Sequence, residues 1–133
     1  MIRVLLMILI FASIGFTQET GKKAYTAAID ADGIQRVEVL GGEYFFDPNH
    51  IIVKVNVPVE LKVRKTPGIT PHDIVINAPD AGINIKEDIS KEPKVIRFTP
   101  TKTGKYPIDC AKKLLFFKSH RERGMEGILE VIE

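Results

Sequence analysis

An all-β sandwich or barrel is the fold that this sequence predicts, and three observations carry the prediction. Within residues 51–63, Ile51, Val53, Val55 and Val57, then Val59, Leu61 and Val63 after Pro58, recur with the period of two that a half-buried strand requires, set against Lys54, Asn56, Glu60 and Lys62. Short apolar segments elsewhere are separated at regular intervals by Pro, Gly, Asn and Asp, the residues that build turns between strands. The chain, at 133 residues, suits one hydrophobic core and is too short for two good ones. Composition is that of an ordinary globular protein, 44% hydrophobic and 27% charged, and a net charge of +2 gives no polycation signal for nucleic acid. Tryptophan is absent and aromatic residues are few, which weakens base stacking further. No internal repeat or low-complexity segment is present.

The first residues read as a leader. Arg3 precedes the apolar run 4–12, and the small residues Ser13, Gly15 and Thr17 follow. This is the pattern of a secretory signal peptide, with cleavage expected after Gly15 or Thr17. The apolar stretch 4–16 is shorter than the roughly 20 residues of a membrane span, so an uncleaved N-terminal membrane anchor is the alternative. No cysteine follows the run, which argues against a lipid anchor. The expected organisation is a signal peptide over 1–17 and one domain over 18–133, placed in the periplasm or otherwise outside the cytoplasm.

Residues 18–23 are polar and read as a flexible start of the exported chain. A first strand is expected within 24–29, followed by a turn over 30–33. Residues 35–40 form a second strand with Val37 and Val39 on one face, and Gly41 and Gly42 break it. Residues 44–46 are apolar and end at Asp47 and Pro48; His50 follows and reads as a solvated turn residue. Ile51, Val53, Val55 and Val57 share a face, and Val59, Leu61 and Val63 resume the alternation after Pro58. That proline marks a bend or an edge. Two prolines and Gly68 make 66–71 a loop. His72, Ile74 and Ile76 share a face of the next strand, with His72 at its mouth. Residues 78–93, rich in Pro, Asp, Gly and Asn, read as a long irregular connection with room for a short helix. Strands are expected over 95–99, with Ile96 and Phe98 inward, then over 104–110 after a turn, and over 128–132. Tyr106, Ile108 and Cys110 share the inward face of the second of these.

The stretch 104–131 is where chemistry concentrates. It holds the only cysteine, Cys110, then His120 and Met125, between two strand patterns. A single cysteine in an exported chain has no internal disulfide partner; it is inert, paired with another chain, or chemically employed. A thiolate, an imidazole and a thioether form a soft donor set, and His72 supplies the further imidazole that completes a mononuclear copper site. The bland reading keeps Cys110 as a buried thiol and the histidines as structural or solvated residues.

The residues here resemble the cupredoxins, the superfamily of plastocyanin and azurin. Gly104, Tyr106, Ile108 and Cys110, each two apart, are similar to the strand that enters the metal loop of that family; Met125, Gly127, Leu129 and Val131 are similar to the strand that leaves it. His72, opening a strand some forty residues upstream, resembles the family's first histidine, and 51–65 resembles the strand before it. The resemblance covers about 44–133. It implies a Greek-key β-sandwich holding one copper ion, with His72, Cys110 and His120 in a trigonal plane and Met125 as a long axial contact. A weak axial thioether lets the metal change charge with little ligand movement.

Several departures accompany the resemblance. Nine residues separate Cys110 from His120, where plastocyanin-like sites have two to four, although long spacings occur in copper nitrite reductases. Asp73 follows the first histidine where many members carry Asn, and Asp109 precedes the cysteine where an aromatic is common. One cysteine rules out the binuclear copper A centre, which needs two. Three histidines, His50, His72 and His120, are too few for a nitrite reductase or multicopper oxidase, so an enzyme with its own substrate site is not expected.

The expectation is therefore an exported electron-transfer protein that passes single electrons between respiratory partners, a cytochrome or a membrane oxidase or reductase. Leu114, Leu115, Phe116 and Phe117, rimmed by Lys112, Lys113, Lys118, Arg121 and Arg123, offer a partly apolar, locally basic docking surface, possible also near an anionic membrane. The same residues fill the top of the core in the bland reading. The alternatives are a copper-handling protein that delivers metal, and a β-sandwich acting as an accessory subunit of a membrane oxidase.

Overall fold

The structure is a computed structural model that describes residues 24–113 and 117–133. The expected leader 1–17, and Leu114, Leu115 and Phe116 of the expected docking surface, lie outside the described residues. Among the described residues no helix is long and apolar enough to cross a membrane.

Among the described residues, ten strands form two sheets. They are β1 (Tyr25–Thr26), β2 (Gln35–Gly42), β3 (Phe45–Asp47), β4 (His50–Lys54), β5 (Val59–Lys65), β6 (His72–Ala78), β7 (Ile83–Ile89), β8 (Lys94–Phe98), β9 (Gly104–Asp109) and β10 (Glu126–Ile132). The larger sheet runs β1-β4-β10-β9-β6-β7 and the smaller β3-β2-β5-β8. Strands β4 and β10 pair in parallel, as do β2 and β5; β9 is antiparallel to both of its neighbours, β10 and β6.

Alternation sets which side chains meet. Val37 and Val39 of β2 and Val59, Leu61 and Val63 of β5 form the inner face of the small sheet. They face Ile51 and Val53 of β4, Leu129 and Val131 of β10, Ile108 of β9, and Ile74 and Ile76 of β6 in one continuous core. Burying such side chains stabilises the fold by roughly 1.5–3 kcal/mol each before chain entropy is counted. Ile96 and Phe98 pack half-buried on the same core, as their spacing predicts.

The break expected at Pro58 is a change of sheet. β4 ends at Lys54 in the large sheet, and β5 starts at Val59 in the small one. Gln35 anchors the turn between them. Its side chain is fully buried; its amide donates to the carbonyls of Lys54 (3.0 Å) and Val57 (3.2 Å), and its Oε1 accepts from the Lys54 N–H at 2.7 Å. One side chain thus satisfies three backbone groups at the change of sheet.

Three readings need correction. The connection 78–93 holds a full strand, β7, after a 3-10 turn over Pro79–Ala81. Ile83, Ile85 and Ile89 do alternate there, but the surrounding Pro, Asp, Gly and Asn obscure the pattern. Gly41 and Gly42 do not break β2; they finish it, paired with Phe46 and Phe45. His50 is not a solvated turn residue: it opens β4, 30% exposed at its side chain, with Nε2 at 2.7 Å from Glu130 Oε2.

Candidate metal centre

The site lies where β6 and β9 run side by side. The pairing of Val75 with Asp109 brings the start of β6 against the end of β9, and so His72 against Cys110. The pairing of Asp109 with Glu126 closes the loop between β9 and β10, which puts Cys110 and Met125 at the two feet of that loop. His120 comes from the loop itself.

Donor atoms of His72, Cys110 and His120 all lie within 4.8 Å of one another. The Nδ1 atoms of His72 and His120 are 3.1 Å apart, close enough for one ring to donate a hydrogen bond to the other, and Cys110 Sγ is 3.5 Å from His120 Nδ1. The three residues are no more than 2% exposed. Met125 is fully buried, and its N–H donates to the His120 carbonyl at 2.9 Å. Its methyl end lies over Gly41, where a Cβ would come within 3.4 Å of Met125 Cε and 2.6 Å of Ile89 Cδ1. A side chain at position 41 would displace the end of Ile89.

Local chemistry explains how each donor is held. Asp73 is buried beside His72 on β6; its backbone N–H points to Cys110 Sγ at 3.5 Å, and its Oδ1 accepts from the Ala111 N–H at 2.7 Å. One residue thus ties the histidine strand to the cysteine loop. The His120 N–H donates to the Lys112 carbonyl at 2.9 Å. Ser119 and Glu122 cap the following turn reciprocally: the Ser119 N–H donates to Glu122 Oε2 (2.9 Å), and the Glu122 N–H donates to Ser119 Oγ (3.3 Å). Gly124 closes that turn with a φ of +100°, a conformation that suits glycine. Lys112 pairs with Asp88 of β7 at 2.9 Å, and Arg121 lies 3.1 Å from Asp109, so two cations of the expected basic rim also brace the loop.

Burial sets the protonation of the donors. It pushes the Cys110 thiol above the ordinary thiol range, while the backbone N–H groups of Asp73 and Lys112 pull the other way. Burial also holds the imidazoles of His72 and His120 below the ordinary histidine range, reinforced at His72 by His120 and Lys65 and at His120 by Arg123. At neutral pH the cluster is a thiol and two uncharged rings.

The donor set fits a soft or borderline metal ion. Sulfur and nitrogen donors without a carboxylate among them suit copper or zinc and not magnesium or calcium. The structure brings together three of the four residues singled out in the sequence and buries the fourth at the foot of the same loop. Reading the sequence missed Tyr44, whose ring centroid is 4.9 Å from that of His120 and 6.3 Å from that of His72. No periodic or motif signal marks it, since only the folded chain brings β3's leading turn against the loop. The Ser119–Glu122 cap was open to detection from its spacing alone.

No family model matches the chain, and no curated protein matches it. Solved structures do. The metal-binding domain of the copper(I)-exporting P-type ATPase CopA of Streptococcus pneumoniae D39, solved with Cu(I), is 25% identical with a TM-score of 0.63, over 84% of this chain and 98% of that one. Auracyanin B is 17% identical with a TM-score of 0.55, over 80% and 94%. The periplasmic domain of cytochrome oxidase subunit II of Bradyrhizobium japonicum is 15% identical with a TM-score of 0.55, over 74% and 83%. With its ten strands in two sheets and its buried His–Cys–His cluster between β6 and the β9–β10 loop, the chain has a cupredoxin-like fold.

Proposed function

We propose that this chain is an exported copper-binding protein that carries single electrons, with His72, Cys110, His120 and Met125 as ligands to one copper ion. The observation that carries the reading is the convergence of one sulfur and two imidazole donors within 4.8 Å in a buried site. Copper bound there would supply a one-electron couple. The residues supply the rest. Cys110 gives up its proton to become a thiolate, the two imidazoles are already neutral, and the buried Met125 adds a weak thioether. Strands on one side and a capped loop on the other limit ligand movement, which favours fast electron exchange. Leu114 to Phe117 are the proposed docking surface for an oxidase or cytochrome, and Phe117, 63% exposed, supports it.

A second reading, copper delivery, draws on the likeness to the metal-binding domain of a copper exporter. A delivery protein favours Cu(I) and releases it; a carrier holds copper through both oxidation states.

The deciding experiment is absorption and electron paramagnetic resonance spectroscopy of the copper-loaded chain with metal analysis. One equivalent of copper and an intense visible band, bleached by reduction and restored by reoxidation, are expected. Cys110→Ser should remove that band; its survival would exclude thiolate ligation. A colourless chain holding only Cu(I) would favour delivery.

A further inference from the structure

Neither histidine of the cluster reaches solvent: His72 is 2% exposed and His120 1%. Strands account for the inner side of the site, but the outer side has a specific cover. The Tyr44 ring lies against His120 at 4.9 Å between centroids, tilted by 54°, and edge-on to His72 at 6.3 Å and 83°. Tyr44 itself is half-buried, so it stands between the two imidazoles and water. Arg123 packs against the same ring, with the guanidinium carbon 4.9 Å from the ring centroid and Nη1 3.4 Å from the Tyr44 hydroxyl. The same guanidinium lies 6.0 Å from the ring of Phe117. Aromatic pairs and cation–π contacts of this geometry are attractive.

The cover is anchored at both ends. Glu43, next to Tyr44, accepts a hydrogen bond from the Thr70 hydroxyl in the loop before β6. Arg123 belongs to the Ser119-capped turn, whose backbone bonds run from Arg123 N–H to the carbonyls of Ser119 and His120, both at 3.2 Å. The turn that presents His120 therefore also presents the cation that holds its cover.

We propose that Tyr44, held by Arg123, is a cover that closes the outer face of the cluster and sets how fast small molecules reach His72 and His120. The part of the inference that concerns copper rests on the function proposed above; the cover itself does not. With the ring in place, an exogenous ligand reaches the cluster only when Tyr44 moves aside. A partner of the carrier would then touch the Tyr44–Arg123–Phe117 surface and not a bare imidazole edge.

The test uses the metal-free full chain and diethylpyrocarbonate, which acylates neutral imidazoles, with peptide mass mapping. His50, 30% exposed and outside the His72–Cys110–His120 cluster, is the internal reference. In the wild type His50 should react while His72 and His120 are protected. Tyr44→Ala should speed labelling of His72 and His120 at least tenfold relative to His50. Tyr44→Phe should stay within twofold of the wild type, because the ring does the covering. Arg123→Ala, which leaves the ring and the core intact, should give a few-fold increase and guards against a Tyr44→Ala chain that fails to fold. Unchanged protection in both Tyr44→Ala and Arg123→Ala would overturn the cover. A second arm measures removal of Cu(I) from the loaded chain by bathocuproine disulfonate, expected to follow the same order. A chain that takes up no copper yet shows the labelling order refutes the copper reading and supports the cover.

Discussion

His72 and His120 bring the same ring to the same place from different kinds of structure. His72 belongs to β6, which pairs with β7 along its whole length, from His72 opposite Ile89 to Ala78 opposite Ile83, and with β9 on its other side. Its position is fixed by backbone hydrogen bonds and by Ile74 and Ile76 beneath it in the core. His120 belongs to a loop that closes on itself, through one bond to Lys112, one from Met125 and a single capped turn. Regions with few buried contacts open locally at lower free energy than core strands. The difference teaches that one half of the centre is held by strand pairing and the core, whereas the other half is held by a capped turn and a few side-chain braces, Lys112 to Asp88 and Arg121 to Asp109 among them.

The largest expected effect comes from breaking the strand side. Ile74 is fully buried in the core on β6, two residues along from His72. Ile74→Ala should cost about 2–5 kcal/mol of global stability, against a typical total of 5–15 kcal/mol. Urea unfolding followed by far-ultraviolet circular dichroism should show a lower midpoint with an unchanged slope. Copper binding should disappear at the same denaturant concentration as the fold. Loss of binding well before unfolding would show that His72 is not coupled to the core in this way.

The contrast also explains what the sequence revealed. Donor residues are few in this chain, one cysteine and three histidines, so His72, Cys110 and His120 stood out by type and order. The inward direction of His72 and Cys110 followed from alternation, and Ile74, Ile76 and Ile108 are buried as that alternation requires. β7 was hidden because Pro79, Asp80, Gly82 and Asn84 are strong turn signals placed just before and within it. Gly41 looked like a strand breaker; it pairs with Phe46 within β2, and Ile89 occupies the space a side chain there would need. Tyr44, Gln35 and Gly41 act through contacts between segments far apart in sequence, which no local pattern records.

A middle-sized effect distinguishes the donors by chemistry. Burial raises the thiol of Cys110 and lowers both imidazoles, so only the thiol has a proton to lose at neutral pH. Ligation needs the thiolate, and a group titrating above the working pH is deprotonated at a cost that falls as pH rises. Apparent copper affinity should therefore increase about tenfold for each pH unit between about pH 7 and pH 8. Chelator competition at the two pH values measures it, and a direct count of released protons should give about one per copper. A slope near a hundredfold per unit would mean that an imidazole is protonated too, and that His72 and His120 are not as desolvated as their burial implies.

The smallest effect tests the local support of the loop. Ser119→Ala removes the hydroxyl that accepts from the Glu122 N–H and weakens the reciprocal cap. Loss of an N-cap hydroxyl costs about 0.5–2 kcal/mol in helices, and a single exposed turn belongs at the low end of that range. A change of about 1 kcal/mol multiplies the open fraction roughly fivefold. Amide exchange should accelerate by about that factor at residues 120–124 and stay unchanged at Ile74 and Ile76 on β6. Glu122→Gln keeps an acceptor for the Ser119 N–H and should show less of the effect. If exchange rises equally in β6, the loop and the strand open together, and the two imidazoles share one unit of stability. If it rises only in the loop, His120 is the donor that leaves first whenever the site opens.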